Sequence, residues 1–360
     1  HVTTPPSAQN STPKALKRWL SFDPWSLGAL FVATVVLAPI LAVIWIAFHP
    51  VENIWPHLLS TTLPRYMRNT LVLMVSVGVL AAAMGATTAW LVTRYRFPGV
   101  RWIQWALLLP LAIPAYVGAY ALVDFLEYAG PVQTGLRDLF GWQTSRDYWF
   151  PEIRSMGAAI IVLSAALFPY VYILARAAYR EQFGASEEVA RSLGAGPFAR
   201  FWRVGLPMAR PAIAAGTAIV MMETVNDFGT VDYFAVQTLT TGIFTTWLES
   251  NSAAGAAQIA GVVLALVVAL VLIEKASRRR SRFYMLSSRH RPVAKRTLTG
   301  AAGIVATCLC LVPILFGFVL PAGVILNHAI SRAELWLDPG LMLALWHTLA
   351  VGGIAAVVTV

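Results

Sequence analysis

The chain has 360 residues, of which 58% are hydrophobic and 12% charged, with a formal net charge of +10. Soluble domains carry about 25% charged residues, so this composition excludes a soluble enzyme or binding domain and indicates an integral membrane protein. The basic excess sits in short segments between apolar runs, the distribution expected of a membrane topology signal and not of a nucleic-acid surface.

In chain order, residues 1–20 read as a disordered cytoplasmic tail, its first dozen residues rich in Ser, Thr, Pro, Gln and Asn. A bilayer core needs about 20 apolar helical residues. Eight runs approach that length: 26–48, 69–92, 102–126, 156–179, 210–232, 257–273, 300–327 and 342–360. The predicted fold class is therefore an all-α polytopic helical bundle. With the N-terminus inside, 21 Lys and Arg residues fall in inside segments and their flanks and six fall outside. That asymmetry sets the expected orientation. The densest basic stretch, Lys275 to Arg296, then lies on the inner face, where it would also attract anionic lipid headgroups.

A weak internal repeat links Pro39-Ile40-Leu41 with Pro313-Ile314-Leu315, and Asn69-Thr70-Leu71 with His347-Thr348-Leu349. Transporters are often built from two related halves. The expected division is a first transmembrane domain at 21–274, a basic linker at 275–299 and the start of a second transmembrane domain at 300–360. Residue 1 is not Met and the last run meets no stop signal before Val360, so the chain reads as a piece of a longer polypeptide.

The inside loop 181–211 is the most informative segment. Ser186 is a candidate N-cap, followed by Glu187 and Glu188 in the first turn, where the helix dipole favours carboxylates. Gly194 ends this short helix, and Gly196-Pro197 turns the chain. A second short helix carries Phe198, Phe201 and Trp202 on one side and is expected to stop at Leu206-Pro207. Neither helix is long enough to be stable alone. An apolar, aromatic projection of this kind reads as a docking surface.

This loop resembles the signature loop of permease subunits of binding-protein-dependent ABC importers: Glu-Ala-Ala, three residues, Gly, nine residues, Ile, one residue, Leu-Pro. Here the same spacing is kept by Glu188-Val189-Ala190, Gly194, Val204 and Leu206-Pro207, with Val189 and Val204 as mild departures. The resemblance implies that Glu188, Val189, Ala190, Gly194, Val204, Leu206 and Pro207 form the coupling helix seated on a separate ATP-hydrolysing subunit. It also implies a dimer of that ATPase, a periplasmic substrate-binding protein and the inner-membrane lipid bilayer as partners. A second coupling loop is expected beyond residue 360. The chain contains no Gly-x-x-x-x-Gly-Lys-Ser/Thr pattern to cradle nucleotide phosphates, so ATP is expected on the partner, and the chain itself is not read as an enzyme. An ion-coupled secondary transporter would not need the 188–207 loop.

The fifth run contains Glu223, Asn226 and Asp227, spaced to share a helix face. Carboxylates at membrane depth usually face a bundle interior or a water cavity, so these three are the candidate pathway residues. For Glu223 a helix-locking hydrogen bond is an equal alternative, and for Asp227 and Asp232 a cap or plain solvation is the better reading. Two stretches, Asn226 to Val231 and Leu109 to Tyr116, are similar to the ferric-iron subgroup of these permeases. That resemblance implies Fe(III) as cargo, a hard ion suited to oxygen ligands. Polyamine, thiamine and sulfate permeases share the fold. Cys308 and Cys310 fall on different helix faces and read as small apolar filler. The outer loop 127–155, with Trp142, Tyr148 and Trp149, reads either as a landing surface for the binding protein or as an interfacial aromatic belt.

Overall fold

The computed structural model describes residues 24–50, 54–181, 190–279 and 295–359. The chain forms α1 (Pro24–Phe48), α2 (Trp55–Ser60), α3 (Leu63–Arg94), β1 (Tyr95–Arg96), α4 (Val100–Ala106), a 3₁₀ turn at Leu109–Ala112, α5 (Ala115–Leu126), α6 (Pro131–Phe140) and α7 (Met156–Glu181). There follow α8 (Pro197–Asn226), α9 (Gly229–Tyr233), α10 (Leu239–Phe244), α11 (Ala253–Arg279), β2 (Arg296–Thr297), α12 (Ala301–Ser331) and α13 (Pro339–Thr359). Among the described residues, seven helices are long and apolar enough to span a bilayer. The bent pair Val100–Ala112 and Ala115–Phe140 makes an eighth if counted as one span.

The run at 102–126 is thus not one straight helix. Its two parts meet at 95°. Pro110 and Pro114 cause the break: Ile113, ahead of the second proline, is extended with φ −115° and ψ 120°, because proline disfavours the helical region for its predecessor. The bend lets the 3₁₀ turn and α5 pack on both α7 and α12.

The centre of the bundle is the trio α3, α7 and α8. Lipid tails are as apolar as leucine, so helices in a bilayer associate by close packing through small residues and not by hydrophobic driving force. Gly85 on α3 and Gly216 on α8 supply that here, one on each side of Val171 on α7. A Cβ at Gly216 would lie 2.7 Å from the Val171 Cα, and a Cβ at Gly85 2.9 Å from the Tyr172 backbone nitrogen.

Two of the long helices absorb a proline through a π turn. In α8 a π-helical turn at Phe201–Gly205 directly precedes Leu206-Pro207; in α12 one at Leu315–Val319 directly precedes Leu320-Pro321. A proline clashes with the carbonyl four residues back, here that of Arg203 or Gly317, and the wider π turn makes room. The stop expected at Leu206-Pro207 is therefore absent. The loop's second short helix and the fifth membrane run are one 30-residue helix. At its other end α8 finishes at Asn226, not near Tyr233.

After the basic stretch the chain returns to the end of α3. β1 and β2 pair in parallel, Tyr95 opposite Arg296 and Arg96 opposite Thr297. The Leu298 N–H donates to the Arg96 carbonyl at 2.8 Å and the Thr307 hydroxyl to the Pro98 carbonyl at 3.1 Å. At the opposite end of α12, His328 meets the Asp124 carboxylate at 3.0 Å. Segments read as lying on the same side of the membrane are thus gathered at the same end of the bundle.

Candidate functional site

The elbow is built on Gly194. Its N–H donates to the Arg191 carbonyl at 3.0 Å, and the Ala195 N–H donates to the Ala190 carbonyl at 3.0 Å. This pair of bonds is a Schellman motif, which requires a left-handed residue at its turning point. Gly194 supplies it at φ +81°. The chain then re-enters a helix at Pro197, with Gly196 extended as the N-cap.

Beyond the elbow the aromatic residues separate by direction. Phe201 turns inward and meets Trp90 of α3 edge-on at 5.6 Å between ring centroids; Tyr179 of α7 meets the same ring at 5.3 Å. Gly205 presses its backbone on that indole, where a Cβ would come within 2.6 Å of Cζ3. Val204 packs beside it on the core. Leu193, Phe198 and Trp202 point outward, 81%, 75% and 51% exposed. An apolar ridge is thus held in place by the buried stack beneath it. Removing Trp90 (Trp90→Ala) leaves Gly205 and Phe201 without support. The expected cost is about 3–5 kcal/mol, the usual loss for a buried Trp, read as a lowered unfolding midpoint of the purified chain in detergent.

Of the loop residues singled out from sequence, Ala190 is half-buried on the short helix, Leu206 is half-buried and Pro207 exposed on α8. Glu188 and Val189 lie outside the described residues.

The second group lies at the other end of α8. Glu223 and Asn226 occupy the last turn and are exposed. Asp227 has left the helix, with ψ 128°. Its carboxylate caps α9, accepting from the Thr230 N–H at 2.9 Å, the Val231 N–H at 3.2 Å and the Thr230 hydroxyl at 3.0 Å. Glu223 and Asn226 therefore remain on the last turn of α8, and Asp227 is committed to the cap, the alternative read for it from sequence.

Two contributors were not read as functional from sequence. The Asn69 amide donates to the Gln237 carbonyl at 2.9 Å, and the Thr70 hydroxyl accepts from the Leu239 N–H at 3.0 Å. They tie the segment after α9 to the start of α3. The recurrence of Thr70 as Thr348, in the match of Asn69-Thr70-Leu71 with His347-Thr348-Leu349, was the available signal. Arg154 lies beside them, paired with Glu127 at 3.4 Å and donating to the Tyr233 carbonyl at 3.3 Å. Asn69, Arg154, Phe234 and Gln237 line a cleft of about 320 Å³. The stretches 109–116 and 226–231 touch: a Cβ at Gly229 would lie 3.0 Å from the Tyr116 Cβ. Among the described residues no three of His, Cys, Asp and Glu converge as a metal site.

The segment 127–155 is ordered around a ladder of Phe140, Trp142 and Tyr148, stacked at 4.8 Å per step. The Tyr148 hydroxyl donates to the Gln133 amide oxygen, and Arg137 donates to Tyr148 at 3.0 Å. Asp147 closes the turn, accepting from the Thr144 and Gln143 N–H groups at 2.7 and 2.8 Å; these bonds hold its carboxyl below the usual aspartate range.

A polytopic helical bundle with small-residue packing at its centre and an apolar ridge at one end is the architecture of an integral membrane protein. A family model described as "Binding-protein-dependent transport system inner membrane component" matches residues 74–282, more than half the chain, and the chain belongs to that family. It is 29% identical over 208 residues to the Fe(3+)-transport system permease protein FbpB 2 of Haemophilus influenzae, a match covering 58% of this chain and 36% of that protein. It is 28% identical over 204 residues to the molybdenum transport system permease protein ModB of Escherichia coli K12, covering 55% and 86%. With the sulfate transport system permease protein CysT of the same organism it shares 27% over 268 residues, covering 72% and 92%. The chain thus spans about a third of the iron permease's length. Among solved structures, a chain of a bacterial alginate ABC transporter in complex with its alginate-bound periplasmic protein has the same fold, with a TM-score of 0.57 at 19% identity, covering 72% of this chain and 96% of that one.

Proposed function

We propose that this chain is the permease part of an ATP-driven importer, that it moves ferric iron from a periplasmic binding protein into the cytoplasm by alternating access, and that the elbow at Gly194 couples it to a separate ATPase. The observation that carries this reading is the exposed ridge of Leu193, Phe198 and Trp202, fixed over the Trp90 stack. Exposed apolar side chains on a rigid support mark a protein interface. Membership of the family supports the assignment.

The N-terminus lies in the cytoplasm in this reading, supported by the Lys and Arg asymmetry. Residues 275–299 join two transmembrane halves. The exposed Glu223–Asn226 face lines the pathway, because a carboxylate near the bilayer needs protein or water to cover it. Iron is supported by the likeness to the Haemophilus permease. Molybdate and sulfate are the competing cargoes named by relatives of similar identity.

The docking reading is tested by placing a photo-crosslinking amino acid at Phe198 or Trp202 in the full-length chain, co-expressed with the proposed partner ATPase. A covalent adduct to the ATPase is expected from both positions and not from Leu337, an exposed residue at the other end of the bundle. Equal labelling from all three would count against the ridge as the docking surface.

A further inference from the structure

A cationic seat forms where the segment after the basic stretch returns to the bundle. The Lys295 ammonium donates to the Val92 carbonyl at 2.9 Å, capping one of the free carbonyls at the end of α3, and the β1–β2 pair fixes its backbone. Arg176 on α7 donates to the Gln104 side chain at 2.9 Å, and its guanidinium lies 5.5 Å from the Trp105 ring centroid and 5.8 Å from that of Tyr172. Gln104 is itself held, donating to the Arg101 carbonyl at 3.1 Å. Arg180 lies one turn beyond Arg176 on α7, and Arg96 pairs with Thr297 beside Lys295 in the β1–β2 ladder, so four cations come to one end of the bundle; burial, and then the charges of Arg176, Arg180 and Arg96, hold Lys295 below the usual lysine range. None of the four pairs with a carboxylate among the described residues.

Like charges held together need a counter-charge. The surroundings say of what kind. α4 presents Trp102 and Trp105 outward, 83% and 61% exposed. Exposed tryptophans at the end of a membrane bundle mark headgroup depth. Basic pockets between helices at that depth suit lipid phosphates.

We propose that Arg96, Arg176, Arg180 and Lys295 bind the phosphate of an anionic phospholipid headgroup, which clamps the returning segment 295–298 to α3 and α7. Only the choice of leaflet, the inner one, rests on the orientation proposed above.

The test uses the full-length chain, delipidated in neutral detergent, with native mass spectrometry of bound phosphatidylglycerol, phosphatidylcholine and inorganic phosphate. Phosphatidylglycerol is expected to remain bound at lipid concentrations about tenfold or more below phosphatidylcholine. R176Q/R180Q/K295Q removes that preference, and R65Q/R68Q/R146Q, at the other end, keeps it. R180Q alone, at an exposed position, is expected to weaken it and serves if the triple variant fails to fold. Equal binding of the two lipids, or a preference unchanged in both variants of the seat, overturns the proposal. Binding of inorganic phosphate without phosphatidylglycerol assigns the seat to a soluble anion and overturns the lipid reading. No ATPase or binding protein is present, so failure here leaves the importer reading standing.

Discussion

Gly194→Asp is expected to reduce substrate-stimulated ATP hydrolysis by about tenfold or more while the chain still inserts and folds. The Schellman turn needs φ near +81° at this position, and a non-glycine residue there costs about 1–2 kcal/mol. That is a small part of the 5–15 kcal/mol typical of folded stability. A Cβ at Gly194 would meet nothing within 4 Å, so no clash adds to the cost. The damage falls on the elbow's shape and on a charge placed beside the Leu193 and Phe198 ridge. Gly194→Asn, which tolerates the left-handed region, is expected to retain more coupling than Gly194→Ala. Assaying the series with reconstituted ATPase and binding protein checks this; three variants alike and active would remove the elbow from the mechanism.

Gly216→Val produces the opposite outcome, loss of the fold with no specific effect on coupling. The new Cβ would sit 2.7 Å from the Val171 Cα and 3.2 Å from the Tyr170 carbonyl oxygen. Both are backbone atoms, so no rotamer change relieves the contact and α8 must separate from α7. The expected cost is about 3 kcal/mol or more, at the upper end of overpacking effects. It is read as a drop in unfolding temperature in detergent and in the amount of chain recovered from membranes. Gly323→Val, where nothing lies within 4 Å, is the control and is expected to be near neutral.

The spans were legible because the bilayer imposes one requirement, a long apolar helix, that composition alone can report. The elbow was legible for a related reason: Gly194 and Gly196-Pro197 are local signals with local consequences. Prolines were harder. Pro110 and Pro114 break the third run, whereas Pro207 and Pro321 are absorbed by π turns, and the difference depends on what the neighbouring helix allows. α6 was missed although Pro131 opens it and Gly141, at φ +71°, closes it. The pairing of Tyr95–Arg96 with Arg296–Thr297 joins segments 200 residues apart and has no local signature. Glu223, Asn226 and Asp227 have the spacing of one face, but spacing could not show that the helix ends at Asn226; the alternative reading of Asp227 as a cap is the one the structure bears out. Cys308 and Cys310 do face apart, one exposed and one buried.

The most direct test of the account is ATP hydrolysis by the full-length chain reconstituted with its proposed partner ATPase and binding protein. The binding protein would be supplied empty, ferric-loaded, molybdate-loaded or sulfate-loaded. The account predicts that ferric loading alone stimulates hydrolysis and that iron appears inside the liposomes in step with it. Stimulation by an oxyanion and not by iron would contradict the cargo and keep the importer. Iron uptake that continues with the ATPase left out would contradict the central claim that this chain is driven through the Gly194 elbow.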